Sequence, residues 1–169
     1  MNTIEKFEHK GMTIRIEHDP DCEMPSSDSI KILYRKSSRY TLGDTPVENT
    51  NDINHLFPST EYHWYEVYAY VHSGVALSLS PFGCPWDSGR SGFAVVKRSD
   101  FPDNEKARDA AKSFVDEMSK YLNGETYYFC IEDENGEHVD SCGGLIGIDW
   151  AKRYAIEMVD TLPEKEPAV

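Results

Sequence analysis

The sequence predicts an α+β fold, a mainly antiparallel sheet covered by two amphipathic helices. Three observations point there. Short alternating or β-branched runs are joined by hairpin-type connections. Two longer segments in the second half carry an apolar stripe at helical spacing. The order along the chain is strands, helix, hairpin, helix. At 169 residues the chain has the length of one domain. Residues 1–162 are read as that domain and residues 163–169 as a flexible tail.

Each element has its own signal. Met12–His18 alternates, with Met12, Ile14 and Ile16 on one face, as a half-buried strand does. Asp19–Ser29 is rich in Pro, Asp and Ser and reads as a loop. Ile30–Arg35 is a second strand. The polar stretch after it ends in a short helix near Ile53–Phe57. Tyr62–Ser80 is aromatic and β-branched and breaks at His72–Gly74, giving two strands and a turn. Ser80–Phe93, "SPFGCPWDSGRSGF", reads as a tight loop, and Gly92–Arg98 as the strand after it.

Asp103–Gly124 is the clearest helix. Ala107, Ala110, Ala111, Phe114, Val115, Met118, Tyr121 and Leu122 form one stripe. Asp100 or Asp103 is placed to cap its start, and Asn123-Gly124 supplies its stop. Thr126–Cys142 reads as a hairpin turning at Asn135-Gly136, a pair suited to a type I′ turn. Ile148–Pro163 is the second helix. Trp150, Ala151, Tyr154, Ala155, Met158, Val159 and Leu162 line one side, Asp149 is its expected cap and Pro163 its end.

Composition limits the functional classes. There is no run of about eighteen or more apolar residues, so no membrane span is expected. The N-terminal stretch has no apolar core of a signal peptide, which makes the cytosol the default compartment. Cys22, Cys84, Cys130 and Cys142 form no CxxC pair and are expected as thiols. The net charge of −13 is unevenly spread: residues 1–99 carry 13 acids and 10 bases, residues 100–169 carry 17 and 7. Such a chain repels nucleic acid, so direct DNA or RNA binding is not expected. An acidic surface is either a solvated face or a face for a basic partner. The six histidines include no HExxH, the acidic runs do not match an EF-hand, and no phosphate-cradling glycine loop is present. Neither metal nor cofactor is expected.

Two constellations carry potential chemistry. In the Ser80–Phe93 loop, Cys84 is a candidate nucleophile, His72 its base and Asp87 the group that orients the histidine, with Ser88 or Ser91 as substitutes for Cys84. The simpler reading is structural: prolines and glycines shape a turn, Phe82 and Trp86 plug the core, and Asp87 caps backbone N–H groups. The second constellation is Asp140, Ser141 and Cys142. If both segments end neighbouring strands, Asp87, Ser88 and Cys84 meet Asp140, Ser141 and Cys142 in one pocket. The alternative is two buried thiols and two turn-capping Asp-Ser pairs.

"HSG" followed by "SPFGCPWDSGRSGF" resembles the signature of a family of small phage and prophage proteins. "DPDCEMPSSDS…SSRYTLGD" and "YLNGETYYFCIEDENGEHVDSCGG" are similar to that family's N- and C-terminal motifs, with Ser26 standing where Arg is expected and Gly143 where an aromatic is expected. The resemblance runs from about Ile14 to Ile148. It implies no activity, only context: an accessory gene of a phage or mobile element, expressed early and working in the bacterial cytoplasm.

Charge and resemblance together favour binding over chemistry. The expected function is inhibition of a host defence complex, a CRISPR effector or restriction enzyme with a basic nucleic-acid groove, through an acidic DNA-mimicking face. The carboxylates expected to carry it are Asp103, Glu105, Asp109, Asp116, Glu117, Glu132, Asp133, Glu134 and Glu137. The alternatives are a small hydrolase or transferase using Cys84, His72 and Asp87, with Asp140, and a non-enzymatic module of phage replication. The protein is expected as a monomer or homodimer.

Overall fold

The structure, a computed structural model, describes residues 3–83 and 88–163. The fold is α+β with mainly antiparallel pairing. The strands form two sheets, and the chain divides into two compact units, residues 1–23 with 125–169 and residues 24–124. The sequence alone predicts one domain over 1–162. In sequence, the second unit interrupts the first.

The first unit holds β1 (Thr3–His9), β2 (Met12–His18), β8 (Thr126–Glu132), β9 (His138–Ile146) and α3 (Ile148–Asp160). Its sheet runs β1-β2-β8-β9, all antiparallel. Strand β1 has no counterpart in the sequence reading. Its alternation is mostly polar, and it is recruited by a two-residue turn at Lys10 (φ 50°) and Gly11 (φ 78°), the double left-handed geometry of a type I′ hairpin. Ile14, Ile16, Phe129 and Ile131 are fully buried, with Ala151, Ala155 and Val159 of α3 in the same core. Each large side chain contributes about 1.5–3 kcal/mol on burial.

Two expected end signals in this unit are different in the structure. The β8–β9 turn is not type I′, because Gly136 (φ 79°) is left-handed and Asn135 is not. The Asp133 carboxylate accepts the N–H groups of Asn135 (2.8 Å) and Glu137 (3.0 Å), and Gly136 N–H donates to the Asp133 carbonyl. That side chain selects the turn. Helix α3 is entered from Gly147 (φ 92°), with no side-chain cap. Asp149 sits in the first turn, and the helix ends at Asp160, before Leu162 and Pro163. Asp149 there acts on the helix dipole rather than on a single N–H.

The second unit holds β3 (Ile30–Arg35), β4 (Thr45–Val47), α1 (Thr50–Leu56), β5 (Tyr62–Val71), β6 (Val75–Ser78), β7 (Ser88–Lys97) and α2 (Asn104–Leu122). The sheet order is β4-β3-β7-β5-β6, antiparallel except for the β3–β4 pair. Asp103 caps α2, its carboxylate accepting from Glu105 and Lys106 N–H. Asp100 instead accepts the Ser29 hydroxyl at 2.6 Å. The expected stripe of α2 is the buried one: Ala107, Ala111, Phe114, Val115 and Met118 share a core with Ile32, Val67, Ala94 and Val96. The sheet's other face buries Leu33 and Val95 with Val47 and Ile53, flanked by Trp64 and Phe93.

Strand β7 begins at Ser88, four residues earlier than the sequence suggests, so the "SGRSGF" end of the loop is strand. Gly92 explains part of this. A Cβ built there would overlap the Leu33 carbonyl oxygen of β3. Only a glycine admits that backbone approach. We expect Gly92→Ala to lower the unfolding free energy by about 2 kcal/mol or more. Gly89→Ala, whose new Cβ would meet nothing within 4 Å, should change it by less than about 0.5 kcal/mol. Urea unfolding of both variants checks this; equal effects would remove the Leu33 contact from the explanation.

Candidate functional site

A concave surface lies in the second unit, on the face of its sheet that α2 does not cover. Its geometry comes from one irregularity. In the β5–β7 pair, Val67 lies opposite Gly92 but Tyr68 lies opposite Arg90, so Ser91 is an extra residue in β7. The Ser91 hydroxyl donates to the Val67 carbonyl at 3.2 Å and closes the bulge. Regular alternation would put Arg90 and Phe93 on opposite faces. The bulge re-aims Arg90, and its guanidinium stands 5.5 Å from the Phe93 ring centre.

Arg90 arrives beside Glu66 and Tyr68 of β5. Glu66 accepts the Tyr68 hydroxyl at 2.6 Å on one oxygen and an Arg90 N–H at 3.3 Å on the other. These three groups, with Leu33, Val47, Ile53, Phe93, Arg35, Glu48 and Asn49, line a half-open cleft of about 610 Å³. The hydrogen bond to Glu66 pushes the Tyr68 phenol above its usual range. The Tyr68 hydrogen bond first, and Arg90 second, hold the Glu66 carboxyl below its usual range.

Of the residues expected to do chemistry, those described fall in both units. Cys84 and Asp87, like Trp86, lie outside the described residues. His72 is exposed at the β5–β6 turn of the second unit, its backbone N–H bonded to the Gly74 carbonyl. Asp140 belongs to the first unit. It lies within β9, not at a strand end, and accepts the Ser141 N–H. Cys142 is half-buried against that unit's core. Ser91 spends its hydroxyl on the bulge. Cys22, Cys130 and Cys142 are thiols, and burial pushes the Cys130 thiol up, away from the thiolate that nucleophilic work needs. Among the described residues no three His, Cys, Asp or Glu are placed to hold a metal ion, and no helix is long and apolar enough to cross a membrane.

The expected partner-binding carboxylates fall in both units. Asp103 is spent capping α2 and Asp116 pairs with Lys112 at 3.4 Å. Glu105, Asp109 and Glu117 are exposed, but their helix also carries Lys106, Arg108, Lys112 and Lys120. In the hairpin, Glu132 pairs with Arg15 at 2.5 Å and Asp133 builds the turn, while Glu134 and Glu137 stand exposed at the tip. Charge separates by unit. Residues 1–23 and 125–169 carry 17 acids and 6 bases, a net of −11; residues 24–124 carry 13 and 11, a net of −2.

Comparison of the chain with protein-family models, curated proteins and solved structures returns no match. The residues themselves therefore carry the functional argument. Glu66, Tyr68 and Arg90 were missed from the sequence. The i, i+2 spacing of Glu66 and Tyr68 signals a shared strand face, but nothing in the sequence marks the bulge that adds Arg90.

Because the folded Glu66 carboxyl titrates below its unfolded value, its interactions are present above the unfolded pKa and lost as pH falls through the folded one. Glu66 and Arg90 are exposed, so the stability effect is small. Tyr68→Phe should raise the Glu66 pKa toward its ordinary range, and more than Arg90→Gln does. Carbon-detected NMR titration reads this directly; an ordinary Glu66 pKa in the unsubstituted protein would contradict the geometry.

Proposed function

We infer that the protein works by binding rather than by chemistry, as an accessory inhibitor carried by a phage or mobile element. Its acidic first unit would dock in the basic nucleic-acid groove of a host defence complex, a CRISPR effector or restriction enzyme, in the bacterial cytoplasm. The observation that carries this reading is the charge partition, a net of −11 in one unit against −2 in the other. A field of one sign concentrated on one unit steers a basic groove toward it and competes there with the phosphate backbone. The resemblance of the "HSG…SPFGCPWDSGRSGF" segment to small phage proteins supports the setting.

Within that unit the hairpin tip is the contact we favour. Glu134 and Glu137 are exposed, whereas Glu132 and Asp133 serve the fold. The mixed charges along α2 make Asp103, Glu105, Asp109, Asp116 and Glu117 weaker candidates.

The test is inhibition of a panel of purified CRISPR effectors and restriction enzymes. Inhibition should weaken as salt rises. The double reversal Glu134→Lys/Glu137→Lys should slow association about tenfold or more at low salt, and Glu105→Lys/Asp109→Lys should change it little. No inhibition across the panel, or inhibition untouched by the hairpin reversal, overturns the reading.

A further inference from the structure

We propose that the cleft of the second unit is a binding site for a small anionic ligand with a planar ring, of the nucleoside monophosphate class. This assignment does not rest on the function proposed for the first unit. Its starting point is the bulge at Ser91. An interrupted ladder is a local loss of pairing, and its product is Arg90 on the cleft face. The ion pair that Arg90 then makes is exposed on both sides, a kind of pair that adds little to stability. Fold stability therefore does not account for the arrangement, whereas bulges do recur where a side chain must be re-aimed at a site.

The chemistry of the walls selects the ligand. Both oxygens of Glu66 are engaged, one by Tyr68 and one by Arg90. Glu66 thus fixes the guanidinium while using one of its five N–H donors. The remaining donors suit a phosphate, which arginine recognises through its planar fork. Arg35 lines the same cleft. The other lining carboxylate, Glu48, is paired with Lys36 at 3.6 Å. The lining therefore balances two arginines against two carboxylates, in a chain of net charge −13. The half-buried Phe93, which packs on the buried Leu33 and Ile53, is the apolar part of the lining that a ligand ring can reach. A volume of about 610 Å³ falls in the range of small-molecule sites. A free mononucleotide fits better than a strand, because the chain as a whole repels a polyanion.

The experiment is titration of the full chain with each of the four ribonucleoside 5′-monophosphates, followed by calorimetry and by NMR shifts at Leu33, Tyr68 and Phe93. At least one should bind saturably and move those signals. Inorganic phosphate and the free nucleoside should each bind about tenfold more weakly, since each satisfies half of the site. Arg90→Gln and Arg35→Gln should each weaken binding about tenfold or more. Arg90→Lys, which keeps the charge but not the fork, should restore part of it with the fold unchanged by circular dichroism. No saturable binding at millimolar ligand overturns the proposal, and so does binding that both arginine variants leave intact. A ten-nucleotide single strand binding more tightly than the monophosphate would overturn the small-ligand assignment.

Discussion

The second unit depends on how closely β3 passes β7. At Gly92 the Leu33 carbonyl occupies the space a side chain would need. That contact holds Leu33 beside Val95 and Phe93 and fixes the pairing from Ile30–Val96 to Tyr34–Gly92. Strand β4 joins the free side of β3 in parallel, and α1 follows it to cover the same face through Ile53. One residue beyond Gly92 the ladder slips, and Arg90 turns to the surface that this packing has made concave. A single tight backbone contact and the bulge beside it thus set both the second core and the cleft.

Much of the architecture is legible in the sequence because burial follows simple periods. The stripe of α2 and the alternation of Met12–His18 reappear as buried faces. What escapes is decided by contacts made across the chain. Strand β1 is polar in pattern and forms because β2 offers it an edge. Asp149 has a capping residue's chemistry, yet Gly147 takes the helix entry because its N–H reaches the Glu125 carbonyl. Asn135-Gly136 is a good type I′ pair, but the nearby Asp133 carboxylate reaches the turn's N–H groups and settles it otherwise. The division into two units is equally hidden, since both halves of the interrupted unit read as ordinary strands and helices. The cleft was invisible for the same reason: a bulge is a relation between two strands, not a property of either.

The two units also differ in electrostatic character. The first carries nearly all of the chain's excess charge, and several of its acids are taken up internally: Glu17 by Tyr128 and Thr3, Glu132 by Arg15, Asp160 by His9 and Lys10. The rest of its acids add to a field of one sign around this unit. The second unit is close to neutral and has the converse equipment, a shaped concavity with few charges held in definite positions.

The interruption of the first unit shapes how the chain must assemble. Hairpin β1–β2 and the β8–β9–α3 segment are each local. The β2–β8 ladder joins them, and beside it the Thr126 hydroxyl donates to the Asp19 carbonyl across 107 positions of chain. Closing so long a loop has an entropic cost that grows slowly with length, but contacts of this separation slow folding. If the intervening residues fold first, the effective loop shortens and the two pieces of the acidic sheet meet sooner. The middle of the chain then acts as an internal clamp for its ends, and damage to the Leu33–Gly92 contact would delay completion of a sheet to which neither residue belongs.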